Sequence, residues 1–364
     1  MASSSAPMAA DHPKFTLISA SDLHDALQSA EPPLVLEACV PRQQARSSYL
    51  PGAVELCLAS IDVYEDDEHG HPVKVSGNHS LKPPAELRAA LEASGIHFLQ
   101  HVVVLTQAVR AGGLDLAVAG RLCWTLAYAG VSHVSLLADG VPAWTRLGHA
   151  VATAPALPPA PTDFFCGRAL PFPLRPELNA RTAEVREAVA GSSKAAGHGC
   201  GVQLADVRSW REYVGDGHDY PFPLPHGRIP GALWAHWGPS TYVGGDFFRH
   251  SDGALHPLAQ TAALWRDWGL CLGGRERIIF YCGSGWRSAV AWCLAQLLGH
   301  TNCASYDGGF LEWSMLDPEA EGHPIVHGSP QERTAVFGGR VEPAHPQADM
   351  SAVQSDATVS RLVK

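Results

Sequence analysis

The sequence predicts an α/β protein made of two related units, each a mainly parallel sheet flanked by helices. Three observations carry this. Short apolar, β-favouring runs alternate with helical apolar patterns through most of the chain. A set of landmarks recurs in the same order in both halves, and a proline- and alanine-rich stretch separates them. Alternation of this kind favours parallel pairing, because a strand that returns in the same direction needs a crossover, usually a helix.

Residues 1–13 read as a flexible leader, and residues 14–150 as the first unit. It opens with a strand-like start and a short helix between Phe15 and Leu27, with Ser21 and Asp22 as cap candidates. Leu34 to Ala38 forms a short buried strand. Tyr49-Leu50-Pro51-Gly52-Ala53-Val54 then corresponds to Arg228-Ile229-Pro230-Gly231-Ala232-Leu233 in the second half. The strand His101 to Thr106 corresponds to the one ending at Tyr281, and Ala119 to Ala129 is an apolar helix. Val134 to Gly140 with Trp144 corresponds to Tyr306-Asp307-Gly308 with Trp313. The spacings agree: Pro51 to Thr106 spans 55 positions and Pro230 to Cys282 spans 52. Four landmarks in one order at similar spacing make an internal duplication the best account.

Residues 151–176 have the composition of a linker, although Phe164-Phe165 can pack on a unit. Residues 177–328 are the second unit, opened by a helix from Ala183 to Ala190 with Asn179 or Thr182 as its cap. Residues 329–364, rich in Ser, Pro, Gln and Ala, read as a mobile tail.

A length of 364 residues suits two domains, and 46% hydrophobic residues suffice for large cores. A formal net charge of −10 argues against a dedicated nucleic-acid binder. No apolar run approaches the ~20 residues of a membrane span. The start Met1-Ala2-Ser3-Ser4-Ser5 lacks a secretory pattern, so the expected location is cytoplasmic, with organellar import left open by its serines. Nine cysteines with no Cys-x-x-Cys pair give neither a disulfide framework nor a zinc ribbon. The cysteines at 57, 123, 271, 293 and 303 sit in apolar patterns and read as packing residues.

Cys282 differs. Ile278-Ile279-Phe280-Tyr281 runs straight into it, then Gly283-Ser284-Gly285 turns into the alanine-rich helix that begins with Trp286-Arg287-Ser288. The glycines permit a curled loop whose N–H groups point at one spot, and the helix adds its positive dipole end there. The stretch is therefore a cradle for an anionic sulfur. In the first half the equivalent loop begins Thr106-Gln107-Ala108 and has no cysteine. An arginine such as Arg287 in the first turn of a helix is opposed by the dipole, which calls for a functional reason. Its expected role is to hold an oxyanion. Gly283-Ser284-Gly285 lacks the Gly-Lys-Ser/Thr continuation of a nucleotide loop. His218, Asp219, His226 and His236 match no standard ligand spacing, so no metal is expected.

Tyr281-Cys282-Gly283-Ser284-Gly285-Trp286-Arg287-Ser288 resembles the active-site loop of the rhodanese family, the thiosulfate and 3-mercaptopyruvate sulfurtransferases. Ala205-Asp206-Val207-Arg208 with Glu212-Tyr213 resembles the family's first-strand signature. Gly227-Arg228-Ile229-Pro230-Gly231-Ala232 resembles its Gly-His-Ile-Pro-Gly-Ala turn, with Arg228 in place of histidine. Tyr306 to Phe310 with Glu312-Trp313 resembles the closing strand and turn. The resemblance covers roughly residues 200–320. It implies two rhodanese-like domains, and a Cys282 nucleophile that carries a persulfide held by the N–H groups from Gly283 to Ser288. It implies no cofactor, with Asp206, Arg208 and Arg228 supporting the loop. The partners it implies are a small anionic sulfur donor and a thiol, cyanide or protein-dithiol acceptor.

Thiosulfate is the expected donor. The loop opening resembles mercaptopyruvate enzymes, but those clamp their substrate with two arginines upstream of the Pro-Gly-Ala turn. Here Glu212 occupies the first of those places and Pro221 the second. A carboxylate repels an anion, which leaves Arg287 as the clamp, with Arg228 or Arg249 as helpers. Two other readings stay open: a persulfide-binding sulfur carrier, and a cysteine phosphatase. The second meets the difficulty that Cys282 to Arg287 is Cys-x4-Arg, one residue short of the phosphatase spacing.

Overall fold

A computed structural model describes residues 13–41, 48–65, 80–105, 115–137, 140–159, 174–192, 201–218, 220, 224–235, 248, 254–315 and 323–329. In the first half the elements run β1 (Lys14–Ile18), α1 (Ala20–Leu27), β2 (Leu34–Cys39), β3 (Val54–Cys57), α2 (Pro84–Ala93), β4 (His101–Leu105), α3 (Asp115–Tyr128), β5 (His133–Leu137) and α4 (Gly140–Arg146). The second half continues with β6 (Asn179–Ala180), α5 (Thr182–Ser192), β7 (Val202–Asp206), α6 (Trp210–Val214), β8 (Leu233–Trp234), α7 (Leu258–Asp267), β9 (Arg277–Tyr281), α8 (Trp286–Leu297), β10 (Cys303–Tyr306) and α9 (Gly309–Met315).

Each half holds one five-stranded sheet, with strand order β1-β5-β4-β2-β3 in the first and β6-β10-β9-β7-β8 in the second. The orders are identical when each strand number is advanced by five, and every strand pairing is parallel. The predicted α/β class and the repeat are both visible in this topology. The central strands are apolar on both faces, as a sheet covered by helices on each side requires: all six residues of β2 are buried.

The outer face of the first sheet packs on α1 and α4 through Val35, Val103, Leu23 and Trp144. The outer face of the second packs on α5 and α9 through Leu204, Ile279, Val185 and Trp313. Between the sheets lies one continuous core that both halves share, including Val102, Val104, Trp124, Phe280, Val290 and Trp292. Its centre is the contact of α3 with α8. Gly120 makes this contact close, because a Cβ there would lie 2.6 Å from Val290 Cγ2 and 3.1 Å from its Cα. Phe15 and Trp292 meet across the boundary with ring centroids 5.7 Å apart.

Two local readings change. The cap of α1 is Ser19, whose side chain accepts from Asp22 N–H at 3.1 Å, rather than Ser21 or Asp22. The start of the expected linker is stitched to the first half: Tyr49 and Ala152 exchange backbone hydrogen bonds at 2.9 Å, and Ala156 N–H donates to Ala53 at 2.7 Å. Residues 323–329 are also anchored, by paired bonds between Arg228 and Val326 and by Gly328 N–H donating to Val214. The leader to residue 12, Phe164-Phe165 and residues 330–364 lie outside the described residues. Among the described residues, no helix is long and apolar enough to cross a membrane.

Candidate active site

Strand β9 ends at Tyr281 and delivers Cys282, buried, to the carboxyl end of the second sheet. Ligands of open parallel sheets bind at that end. The turn that follows owes its shape to its backbone partners. Phe310 N–H donates to the Cys282 carbonyl at 2.7 Å, and Leu311 N–H to the Gly283 carbonyl at 2.8 Å. The start of α9 therefore takes up the first two carbonyls of the loop. Gly309, at φ 58°, is needed for this approach, since a Cβ there would lie 2.6 Å from Gly283 O. Gly285 caps α8 at φ 84°, with no room for a side chain against Asp307 O, 2.7 Å from where its Cβ would be. The first turn of α8 then starts directly beside the thiol, and the first N–H groups of any α-helix have no partner within it.

Side chains complete the cradle. Ser288 Oγ lies 3.8 Å from Cys282 Sγ, with Gly285 O at 3.0 Å and Ser305 Oγ at 2.8 Å. Arg287 is buried and forms a two-pronged pair with Glu212, at 2.8 and 3.0 Å, and its Nη2 also donates to Tyr220 Oη. Glu212 is itself held in a capping box by Ser209 at the start of α6. Burial alone would raise the Glu212 pKa, but Arg287 overrides it and brings the carboxyl down to about 2. Burial works against the Arg287 charge as well, and Glu212 and Tyr220 outweigh it, so the guanidinium stays protonated. Burial raises Tyr220 well above an ordinary phenol, with Glu212 and Cys282 adding to the effect and Arg287 opposing it, so its hydroxyl stays neutral.

Beneath the loop, Asp206 and Arg208 pair at 2.7 Å. Tyr281 Oη donates to Asp206 at 2.8 Å and accepts from Ile229 N–H, tying the end of β9 to the Pro230-Gly231 turn. Arg208 also donates to Gly227 O and lies over the Phe310 ring, at 4.1 Å from its centroid.

A rhodanese-like domain model matches residues 190–316. The thiosulfate sulfurtransferase YnjE of Escherichia coli is 30% identical over 67% of this chain and 50% of its own length. The putative thiosulfate sulfurtransferase SseB of Mycobacterium tuberculosis is 29% identical over 83% of this chain and 94% of its own. The second half of the chain is a rhodanese-like domain. The chain spans half the length of the E. coli relative. In structure the chain resembles the anaerobic ergothioneine biosynthesis enzyme from Chlorobium limicola, seen with trimethyl histidine. The TM-score is 0.71 at 27% identity, over 86% of this chain and 70% of that one.

The rhodanese loop brings Cys282, Gly283, Ser284, Gly285, Trp286, Arg287 and Ser288 together, and Asp206 and Arg208 lie below it. Three expectations about its surroundings need correction. Glu212 is no bare negative wall, because Arg287 neutralises it. Arg287 accordingly reaches the site as half of an ion pair instead of a lone cation. Arg228 points away to donate to Gly328 O at 2.6 Å and Tyr213 O at 3.3 Å, with its guanidinium over the Tyr213 ring, so it is tied to the chain's last described strap. Trp286 faces the first half, its ring centroid 6.1 Å from that of Tyr64. Of the cysteines read as packing, Cys271 is exposed and Cys57 is partly exposed.

Sequence reasoning missed Tyr220, Arg121 and Asp62. Arg121 carried a signal: it is a charge inside an otherwise apolar helix. The two ring nitrogens of His218 lie 3.2 and 3.1 Å from the N–H groups of Tyr220 and Leu224, and its ring meets that of His226 edge-on at 5.7 Å between centroids. No metal-ligand cluster occurs among the described residues. Thr106, Asp219, Pro221, His236 and Arg249 lie outside them.

Proposed function

We propose that the protein transfers sulfane sulfur from a small anionic donor, thiosulfate in preference to 3-mercaptopyruvate, to a thiophilic acceptor through a persulfide on Cys282. The observation that carries this is the backbone arrangement around the thiol: α9 takes the Cys282 and Gly283 carbonyls, and α8 begins beside Sγ. In the first step the Cys282 thiolate attacks the outer sulfur of thiosulfate, the S–S bond of the donor breaks, and sulfite leaves. In the second, a thiol, cyanide or protein dithiol takes the outer sulfur and returns the thiolate. The loop N–H groups from Gly283 to Ser288 hold the charge on the terminal sulfur, as an oxyanion hole holds oxygen. The chemistry needs no cofactor. Asp206, Arg208 and Tyr281 keep the end of β9 in place, and the first half covers the inner face of the second.

Thiosulfate is supported by the names of the curated relatives. Ping-pong kinetics with thiosulfate and cyanide test the reading: parallel double-reciprocal lines, and a kcat/KM for thiosulfate above that for mercaptopyruvate, are expected. The likeness to the ergothioneine enzyme favours a second reading of the acceptor, a trimethylated histidine instead of a thiol. Adding that compound to the persulfidated protein separates the two, since only the second reading gives a sulfur-containing imidazole. A phosphoester that releases phosphate with no sulfur adduct would return the site to phosphatase chemistry.

A further inference from the structure

The carboxyl ends of β2 and β3 place two thiols side by side in the half that lacks the nucleophile. Cys39 and Cys57 are register partners, following Leu36 with Val54, Glu37 with Glu55 and Ala38 with Leu56. Partners on neighbouring strands lie about 4.8 Å apart and project to the same face. Packing identifies that face. Leu34, Leu36, Ala38, Val54 and Leu56 enter the shared core. The alternate positions Glu37, Cys39, Glu55 and Cys57 therefore lie on the opposite side, where Val35 packs with α1 and α4. A short Cα separation and a common direction are the two geometric requirements of a disulfide.

Accessibility and charge are arranged for reaction. Cys57 is partly exposed and Cys39 is buried. A hydrogen bond from Cys39 lowers the Cys57 pKa to about 6; burial and Glu55 oppose this, while the Ala59 N–H and Lys82 assist. Lys82 is held there by donating to Ala59 O at 2.8 Å. The other neighbouring thiols, Cys123 and Cys293 in the α3–α8 contact, are both buried, and burial pushes Cys293 well up. That pair is packing.

We propose that Cys39 and Cys57 form a redox-active dithiol that a low-molecular-weight disulfide oxidises to an intramolecular disulfide. The Cys57 thiolate attacks one sulfur of the small disulfide, its S–S bond breaks, one small thiolate leaves, and a mixed disulfide remains. Cys39 gives its proton to solvent and attacks Cys57 Sγ, expelling the second small thiolate. Two protein thiols are oxidised and one small disulfide is reduced to two thiols. The bridge closes the strand ends from which the chain runs through Leu58–Ser60 to Asp62. It uses neither Cys282 nor the donor, so it stands or falls apart from the sulfur-transfer reading.

The test is to incubate the full chain with glutathione disulfide, block remaining thiols and map the peptides by mass. The expected product is a Cys39–Cys57 cross-linked peptide pair, lighter by two hydrogens than the reduced peptides, with no lasting glutathione adduct on Cys57. Cys39→Ala should instead accumulate that adduct, and should raise the pH midpoint of Cys57 alkylation from about 6. A stable glutathione adduct on Cys57 of the unaltered protein, a bridge from Cys57 to a different cysteine, or no change at either position would overturn the proposal.

Discussion

Arg121 donates to Asp307 at 2.6 Å across the boundary between the halves, while the same guanidinium grips Asp62 at 2.8 and 3.0 Å. One cation thus lies between two buried carboxylates, and Leu81 N–H donates to the far oxygen of Asp307 at 2.9 Å. A Cβ on Gly285 would lie 2.9 Å from Asp307 Oδ1 and 3.1 Å from Arg121 Nη1. The half without a nucleophile therefore supplies a charge that packs directly on the loop presenting Cys282.

This triad predicts a pH dependence with a definite sign. Burial raises the Asp62 pKa to about 6, Asp307 adds to the rise, and Arg121 opposes it. The folded protein then binds a proton that the unfolded chain has released, so stability falls as pH rises from about 4 to about 6. Asp62→Asn removes that slope. Relative to the unaltered protein, the variant should gain roughly 1–3 kcal/mol between about pH 4.5 and about pH 7.5, at ~1.4 kcal/mol per unit. Urea unfolding at the two pH values measures this, and a constant or opposite difference contradicts it.

The shared core predicts that the halves stand together. Gly120→Ala places a methyl against the Val290 backbone and should cost about 1–3 kcal/mol. Residues 177–328 expressed alone would expose Val290 and Trp292, which Gly120 and Phe15 of the first half meet. That fragment should melt well below the full chain or precipitate. A soluble fragment, equally stable and fully active, would refute the supporting role.

Arg287 and Glu212 make a prediction that separates folding from donor binding. Arg287→Ala strands a buried carboxylate and should lose about 3–5 kcal/mol of stability. Adding Glu212→Gln should restore most of that loss, because the stranded charge is gone. If Arg287 also holds the donor, the thiosulfate KM of the double variant stays raised although its fold has recovered. A double variant with an unaltered KM would leave Arg287 a purely structural partner.

Much of this was legible beforehand, for reasons the residues make plain. Strand and helix periods are local, so β9, α8 and the repeat could be read directly. The Asp206–Arg208 pair came from the family resemblance, and its members are only two positions apart. Glu212 and Arg287 are 75 residues apart, and Arg121 and Asp307 are 186 apart. Charge type gives no direction at such distances; only the folded chain brings them together, with Glu212 of α6 meeting the start of α8 and α3 packing on α8 beside Asp307. Glu212 was consequently read as a repelling charge when it is a neutralised one. Cys57 was taken for packing because β3 is apolar, and its exposure depends on where that strand falls in the sheet: at the edge.

The central claim is a sulfur carried on Cys282, and intact-mass measurement tests it most directly. After incubation with thiosulfate and removal of the small molecules, the protein should be heavier by one sulfur atom, and peptide mapping should place that atom on Cys282. Cys282→Ser, nearly isosteric but not ionised at neutral pH, should retain its fold and show neither the adduct nor turnover. An adduct on another cysteine, no adduct at all, or a Cys282→Ser protein that still transfers sulfur would contradict the account.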